Sequence, residues 1–246
     1  MTEFNKMITM GCSWTAGEGD DLDSSNVTPG WVGRVFKKLN RDGIKINDLE
    51  NLGTMGDSNW IQYAHLAKYL NCPKCLVIWG MSAFSRDIVN VDDEWKTIKV
   101  HHPNWRQYYL EYNDHACQLK HLYMIHSFQQ LVNNFDSEHF IFLSFDDISR
   151  FNGLYDLGEF NHVYDLIDWD RIITNYSMCD YISQNNSASV SIDAQEYKMG
   201  LTKFFERINM KKHENFCHDG HPSPKGYDLW ANHLYDWILP KIQFVD

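Results

Sequence analysis

A serine hydroxyl near one end of the chain and an imidazole near the other could together carry nucleophilic acyl chemistry, if the fold brings them into contact. An apolar run near the N-terminus ends in Gly11-Cys12-Ser13-Trp14-Thr15-Ala16-Gly17, where glycines permit a tight turn and present the Ser13 hydroxyl. Near the C-terminus, His218-Asp219-Gly220-His221-Pro222-Ser223-Pro224-Lys225-Gly226-Tyr227 puts His221 immediately before a helix that begins with proline. Serine is a poor nucleophile until a base takes its proton, and the oxyanion that follows needs preorganised donors. Asn51-Leu52-Gly53-Thr54-Met55-Gly56-Asp57-Ser58-Asn59 offers one, because Gly53 has no side chain to keep its backbone N–H from a substrate oxygen. A fourth stretch, Trp79-Gly80-Met81-Ser82-Ala83-Phe84-Ser85-Arg86, ends in a guanidinium that either binds an anionic group at the rim or solvates its own loop.

Each stretch follows a segment that reads as a strand or precedes one that reads as a helix. Strands are expected over 6–12, 44–52, 75–79 and 139–145. Between the first two, Trp31, Val32, Val35, Phe36 and Leu39 recur at helical spacing after Thr28-Pro29-Gly30. Asp57 or Ser58 can cap a second helix with Ile61, Ala64, Leu66 and Leu70 among its apolar positions. A long helix is expected over 113–135, and a last one carries a stripe of Tyr227, Trp230, His233 or Leu234, Trp237 and Ile238. Strands alternating with helices imply a three-layer α/β/α domain on a flavodoxin-like parallel sheet, whose loops gather at the carboxyl edge. We expect one domain over 1–246, with irregular, aromatic-rich insertions at 86–112 and 146–216 that cap the site.

Composition removes several classes of function. Apolar residues make up 43% of the chain and aromatic ones 15%, enough for a core and for aromatic surface in a cleft. Twenty-two Lys and Arg against 33 Asp and Glu give a formal charge of -11, which disfavours nucleic acid and anionic membrane surfaces as partners. No run approaches the ~18 apolar residues that span a bilayer, and the N-terminus lacks the layout of a signal peptide, so a soluble, cytoplasmic protein is expected. Six scattered cysteines read as free thiols, and Cys72-Pro73-Lys74-Cys75 is a redox or zinc half-site without a second half. His101-His102 lacks a placed third ligand, and Asp20, Asp21 and Asp23 read as a solvated loop, with calcium as the alternative. No cofactor or metal is expected.

The plainer readings of the central residues are these. Ser13 could cap a short helix after its strand, and His221-Pro222 could be an ordinary helix entry. The literal Gly56-Asp57-Ser58 run competes with Ser13 for the nucleophile's place, although it follows the second strand and suits helix capping.

The four stretches, in this order and at these positions, resemble the sequence blocks of the SGNH (GDSL-like) serine hydrolases, with Asn51–Asn59 and His221–Tyr227 the most specific. The resemblance implies Ser13 as nucleophile and His221 as general base. It also implies the N–H groups of Ser13 and Gly53 as oxyanion donors, with Ser82 where the family commonly has an asparagine donor. Cys12 stands where the family commonly has aspartate. The orienting aspartate, usually three residues before the histidine, is replaced there by His218, which leaves Asp219 as the orienter. The implied activity is that of a serine esterase or deacetylase working through an acyl-Ser13 intermediate on a small-molecule or carbohydrate ester. O-acetyl groups on a glycan are favoured, because the insertions are rich in Trp, Tyr and His and lack a long apolar segment for acyl chains. The second reading is a catalytically silent member of the fold that binds carbohydrate or serves in an assembly.

Overall fold

The computed structural model describes residues 2–20, 29–83, 87–91, 94–98, 114–145, 161–185, 214–217 and 219–243. Short strands β1 (Glu3–Phe4) and β3 (Lys45–Ile46) pair with each other, beside a parallel sheet of β2 (Lys6–Gly11), β4 (Leu49–Gly53), β5 (Cys75–Met81) and β8 (Glu138–Leu143). The order across the main sheet is β4-β2-β5-β8, and Ile172 bridges in parallel to Ile141 beyond β8. The first long strand therefore sits inside the sheet with its successors on either side, which creates a topological switch point at the carboxyl end of β2.

Side chains alternate strictly between two cores. Leu76 and Ile78 of β5 and Phe140 and Phe142 of β8 enter one, while Val77, Trp79, Ile141 and Leu143 enter the other, as the two-residue period of a strand requires. The first core is closed by α2 (Gly30–Arg41), α6 (Met178–Gln184) and α7 (Pro224–Gln243); the second by α3 (Asn59–Tyr69), α4 (Asp114–Asn133) and the short α5 (Asn161–Tyr164), which contributes Val163. Trp31 and Trp230 meet Phe142 edge-on from α2 and α7, with centroids at 5.3 and 4.9 Å. Among the described residues no helix is long and apolar enough to cross a membrane.

Three expectations change. The strand expected over 44–52 divides into β3, which pairs with β1, and β4, which joins the main sheet beside β2. Of the apolar positions expected in α3, Leu66 and Leu70 are buried but Ile61 is half-buried and Ala64 exposed, while the polar Asn59 and Gln62 are buried. Gln62 is drawn in because its Oε1 accepts the indole N–H of buried Trp79 at 2.8 Å, a donor that needs a partner. Within 86–112, expected as irregular, β6 (Asp87–Val91) and β7 (Glu94–Ile98) pair as an antiparallel hairpin. Only two residues separate them, and Ile88, Val89, Val91, Thr97 and Ile98 are β-branched. The rest of that segment and most of 146–216 lie outside the described residues.

His139, on β8, is buried against the edge of Phe128 and near Arg171, and burial holds it down at about pKa 4 against an ordinary 6.5. Between these values the unfolded chain binds a proton that the folded one refuses, so stability is lost as pH falls through this window. At about 1.4 kcal/mol per pH unit the loss is ~3 kcal/mol. Urea unfolding of His139→Gln at pH 7 and pH 4.5 is expected to show a smaller drop than the wild type; equal drops would assign the acid sensitivity elsewhere.

Candidate active site

The chain leaves β2 at the switch point and enters α1 (Ser13–Ala16) at once. Cys12 caps this helix, its carbonyl accepting from the N–H groups of Thr15 at 2.9 Å and Ala16 at 3.0 Å. Its thiol is fully buried in the first core, so the place where the family commonly has a carboxylate is an apolar packing position. Ser13 is the first helical residue, where backbone N–H groups lack intrahelical acceptors. Trp14 anchors the turn against Phe145, centroids 4.6 Å apart.

His221 arrives from a turn closed by the N–H of Cys217 on the carbonyl of His221 at 2.8 Å and by the N–H of Gly220 on the carbonyl of Cys217 at 3.0 Å. A bridge between Phe216 and Pro222 continues it into α7. The outcome is the contact on which the sequence reading depends: Nε2 of His221 stands 3.0 Å from Oγ of Ser13. Asp219 supports the turn from the other side, with Oδ1 accepting the His221 N–H at 3.1 Å and Oδ2 3.1 Å from Nδ1. That second approach is close enough for an ion pair yet lies off the N–H direction, so Nδ1 has no aligned hydrogen-bond acceptor among the described residues. Asp219 is also half exposed, which weakens its hold on the ring.

Two of the three groups expected to receive an oxyanion, the Gly53 N–H and the Ser82 hydroxyl, are otherwise engaged. The Gly53 N–H donates to Oδ1 of Asn51 at 3.0 Å, and Oδ1 also accepts the Thr9 hydroxyl at 3.1 Å. Nδ2 of Asn51 donates to the carbonyl of Thr15 at 3.0 Å, which ties β4 to the nucleophile's helix. Gly53 is glycine for a steric reason: a Cβ there would lie 2.4 Å from the N of Ala16 and 2.7 Å from the carbonyl carbon of Thr15. Ser82 is buried, its hydroxyl donating to the Asp57 carbonyl at 3.1 Å and its N–H to Oδ1 of Asn59 at 2.8 Å. Ser82 thereby fastens the end of β5 to the start of α3. Ser58 caps that helix, its oxygen accepting from Ile61 at 3.4 Å, and is fully buried.

Two residues at the site escaped the sequence reading. Asn51 is a polar residue inside a strand, a type depleted there, and that was its signal. Glu18 sits between Gly17 and Gly19 and brings Oε2 to 2.9 Å from Nε2 of His221. Asp20, read as part of a solvated loop, instead has a fully buried side chain, clamped by Arg34, Nη1 to Oδ2 2.5 Å, and by the Gly30 N–H at 2.6 Å. Asp21, Asp23, Arg86, His101, His102 and His218 lie outside the described residues. Cys72 and Cys75 are free, their sulfurs 3.3 Å apart at the amino end of β5, the edge opposite Ser13, and burial pushes the Cys75 thiol up to about 12. Among the described residues no three His, Cys, Asp or Glu side chains are grouped to hold a metal ion.

No family model and no curated protein matches the chain. Solved structures do. A lipase from a goat rumen metagenome is similar at 14% identity and TM-score 0.47, over 95% of this chain and 97% of that one. An acetyl xylan esterase from Geobacillus stearothermophilus is similar at 14% identity and TM-score 0.39, over 99% and 97%. A member of the lipolytic protein G-D-S-L family from Veillonella parvula is similar at 13% identity and TM-score 0.43, over 94% and 96%. The chain is similar to each of these three structures along nearly its whole length.

Proposed function

We propose that this protein is a serine esterase in which Ser13 attacks the acyl carbon and His221 serves first as base and then as acid. The observation that carries the reading is the 3.0 Å approach of Nε2 to Oγ at the carboxyl edge of the sheet. With Nε2 unprotonated, it takes the hydroxyl proton as Oγ bonds to the ester carbon, and the carbonyl oxygen becomes an oxyanion. The N–H of Ser13, in the first turn of α1, supports that charge. Collapse expels the alcohol, which receives the proton from Nε2; water then attacks acyl-Ser13 with the same imidazole as base. Asp219, 3.1 Å from Nδ1, favours the imidazolium formed on the way. The substrate we favour is an O-acetyl ester of a carbohydrate, on the strength of the Trp, Tyr and His content of segments 86–112 and 146–216.

The engagement of the Gly53 N–H and the Ser82 hydroxyl favours a second reading, a catalytically silent carbohydrate-binding or assembly protein of the same fold. A fluorophosphonate probe separates the two. Wild type is expected to gain one covalent adduct, lost in Ser13→Ala. Labelling that survives in the variant would remove Ser13 from the mechanism, and absence of both labelling and ester turnover in the wild type would leave the binding reading standing.

A further inference from the structure

Glu18 touches the reacting atoms and has no part in the steps above. Its Oε2 lies 2.9 Å from the nitrogen that also faces Ser13, and its Oε1 is buried without a hydrogen-bond partner among the described residues. Nε2 cannot donate to Glu18 and accept from Ser13 at once. In the state that reacts, the ring proton is on Nδ1 and Nε2 offers a lone pair, so Oε2 loses its donor as well. A carboxylate less than one-third exposed then has both oxygens short of donors, and such an arrangement costs free energy until something supplies them.

The turn fixes the backbone that carries Glu18. Its N–H donates to the Ser13 carbonyl at 3.1 Å, and its own carbonyl accepts the hydroxyl of buried Tyr227 at 2.7 Å. Gly17 and Gly19 on either side have φ of 90° and 86°, and a Cβ at Gly19 would meet the Pro222 carbonyl oxygen at 2.7 Å and Cβ of His221 at 2.9 Å. Two positions after Glu18, Asp20 is locked to Arg34 and Gly30. The carboxylate is therefore presented from a backbone fixed to both the nucleophile's helix and the histidine's turn.

The leaving oxygen must come to Nε2 for its proton, which sets the rest of the alcohol beside Glu18. We propose that Glu18 is a specificity-determining residue that accepts the hydrogen of a second hydroxyl next to the esterified one, so that the site selects monoesters of vicinal diols, as in partly acylated sugars. This rests on the reading of Ser13 and His221 as nucleophile and base, and it names the feature of the substrate that the site measures. A carboxylate can only accept, and hydrogen bonds to it are among the stronger ones. Alcohols carrying a carboxylate or phosphate at that place are repelled.

The test compares kcat/KM for trans-1,2-cyclohexanediol monoacetate and cyclohexyl acetate, which differ by that one hydroxyl. Wild type is expected to prefer the diol ester by about 10-fold or more. The preference should shrink in Glu18→Gln, shrink less in Glu18→Asp, and fall to roughly parity in Glu18→Ala. Thermal melts identify variants that retain the fold, and the wild-type ratio tests the proposal without any variant. A wild-type ratio near one, or an equal fall on both esters in every folded variant, overturns it and leaves Glu18 as a support for the imidazole, with the esterase reading intact. Hydrolysis of neither ester by the wild type, or hydrolysis that survives Ser13→Ala, overturns the esterase reading and this inference with it.

Discussion

His221→Ala is expected to lower kcat/KM for acetyl-ester hydrolysis by roughly 10^4- to 10^6-fold, the scale on which removing the base disables other serine hydrolases. Among the described residues, His221 is the histidine whose ring contacts Oγ of Ser13, at 3.0 Å. Without it, Ser13 must lose its proton to water, while the turn around 217–223 keeps its backbone bonds, so stability should change little. Asp219→Asn should cost far less, about 10^2-fold, because its Oδ2 is off the Nδ1–H direction and its side chain is half exposed. Steady-state kinetics on a chromogenic acetate, with the melting temperature of each variant, check both. If His221→Ala retained a tenth of wild-type activity in a folded protein, the assignment of the base would be wrong.

Gly53→Ala is expected to lower kcat/KM by about 10^2-fold and stability by ~1–3 kcal/mol, although it removes no hydrogen-bonding group. The added methyl would collide with main-chain atoms of Thr15 and Ala16 at 2.7 and 2.4 Å. Backbone cannot rotate aside as a side chain can, so either β4 leaves its register with β2, where Gly53 pairs Gly11, or α1 shifts and takes Ser13 out of line with His221. The distinction from an oxyanion role is direct, since alanine keeps the N–H that such a role would use. Chemical denaturation and kinetics on the purified variant measure the two effects. Values within error of wild type would show that α1 is not braced by β4.

Much of the framework was legible before any coordinates. Strand periodicity gave four parallel strands, because a buried strand must present apolar groups to both faces: Ile78 enters one core and Trp79 the other. The stripes of α2 and α7 were legible for the same reason, with Trp31, Val35, Leu39, Tyr227, Trp230, Leu234 and Ile238 all buried. Hydrophobic burial is collective and tolerant, so pattern suffices to read it. The hairpin β6–β7 was missed because two short strands beside aromatic residues lack a period long enough to register.

The site divides along the same line. Chain order and strand periodicity sufficed to send the loops after β2, β4 and β5 to one edge; the pairing of Ser13 with His221 is what the resemblance to the SGNH hydrolases implied, and the two side chains meet. Only the tertiary structure decided where individual polar groups spend their hydrogen bonds. It gave the Gly53 amide to Asn51, the Ser82 hydroxyl to Asp57, and the nitrogen facing Ser13 a second neighbour in Glu18. Those choices turn on a few tenths of an ångström and on bond direction, and residue type fixes only which groups are able to compete.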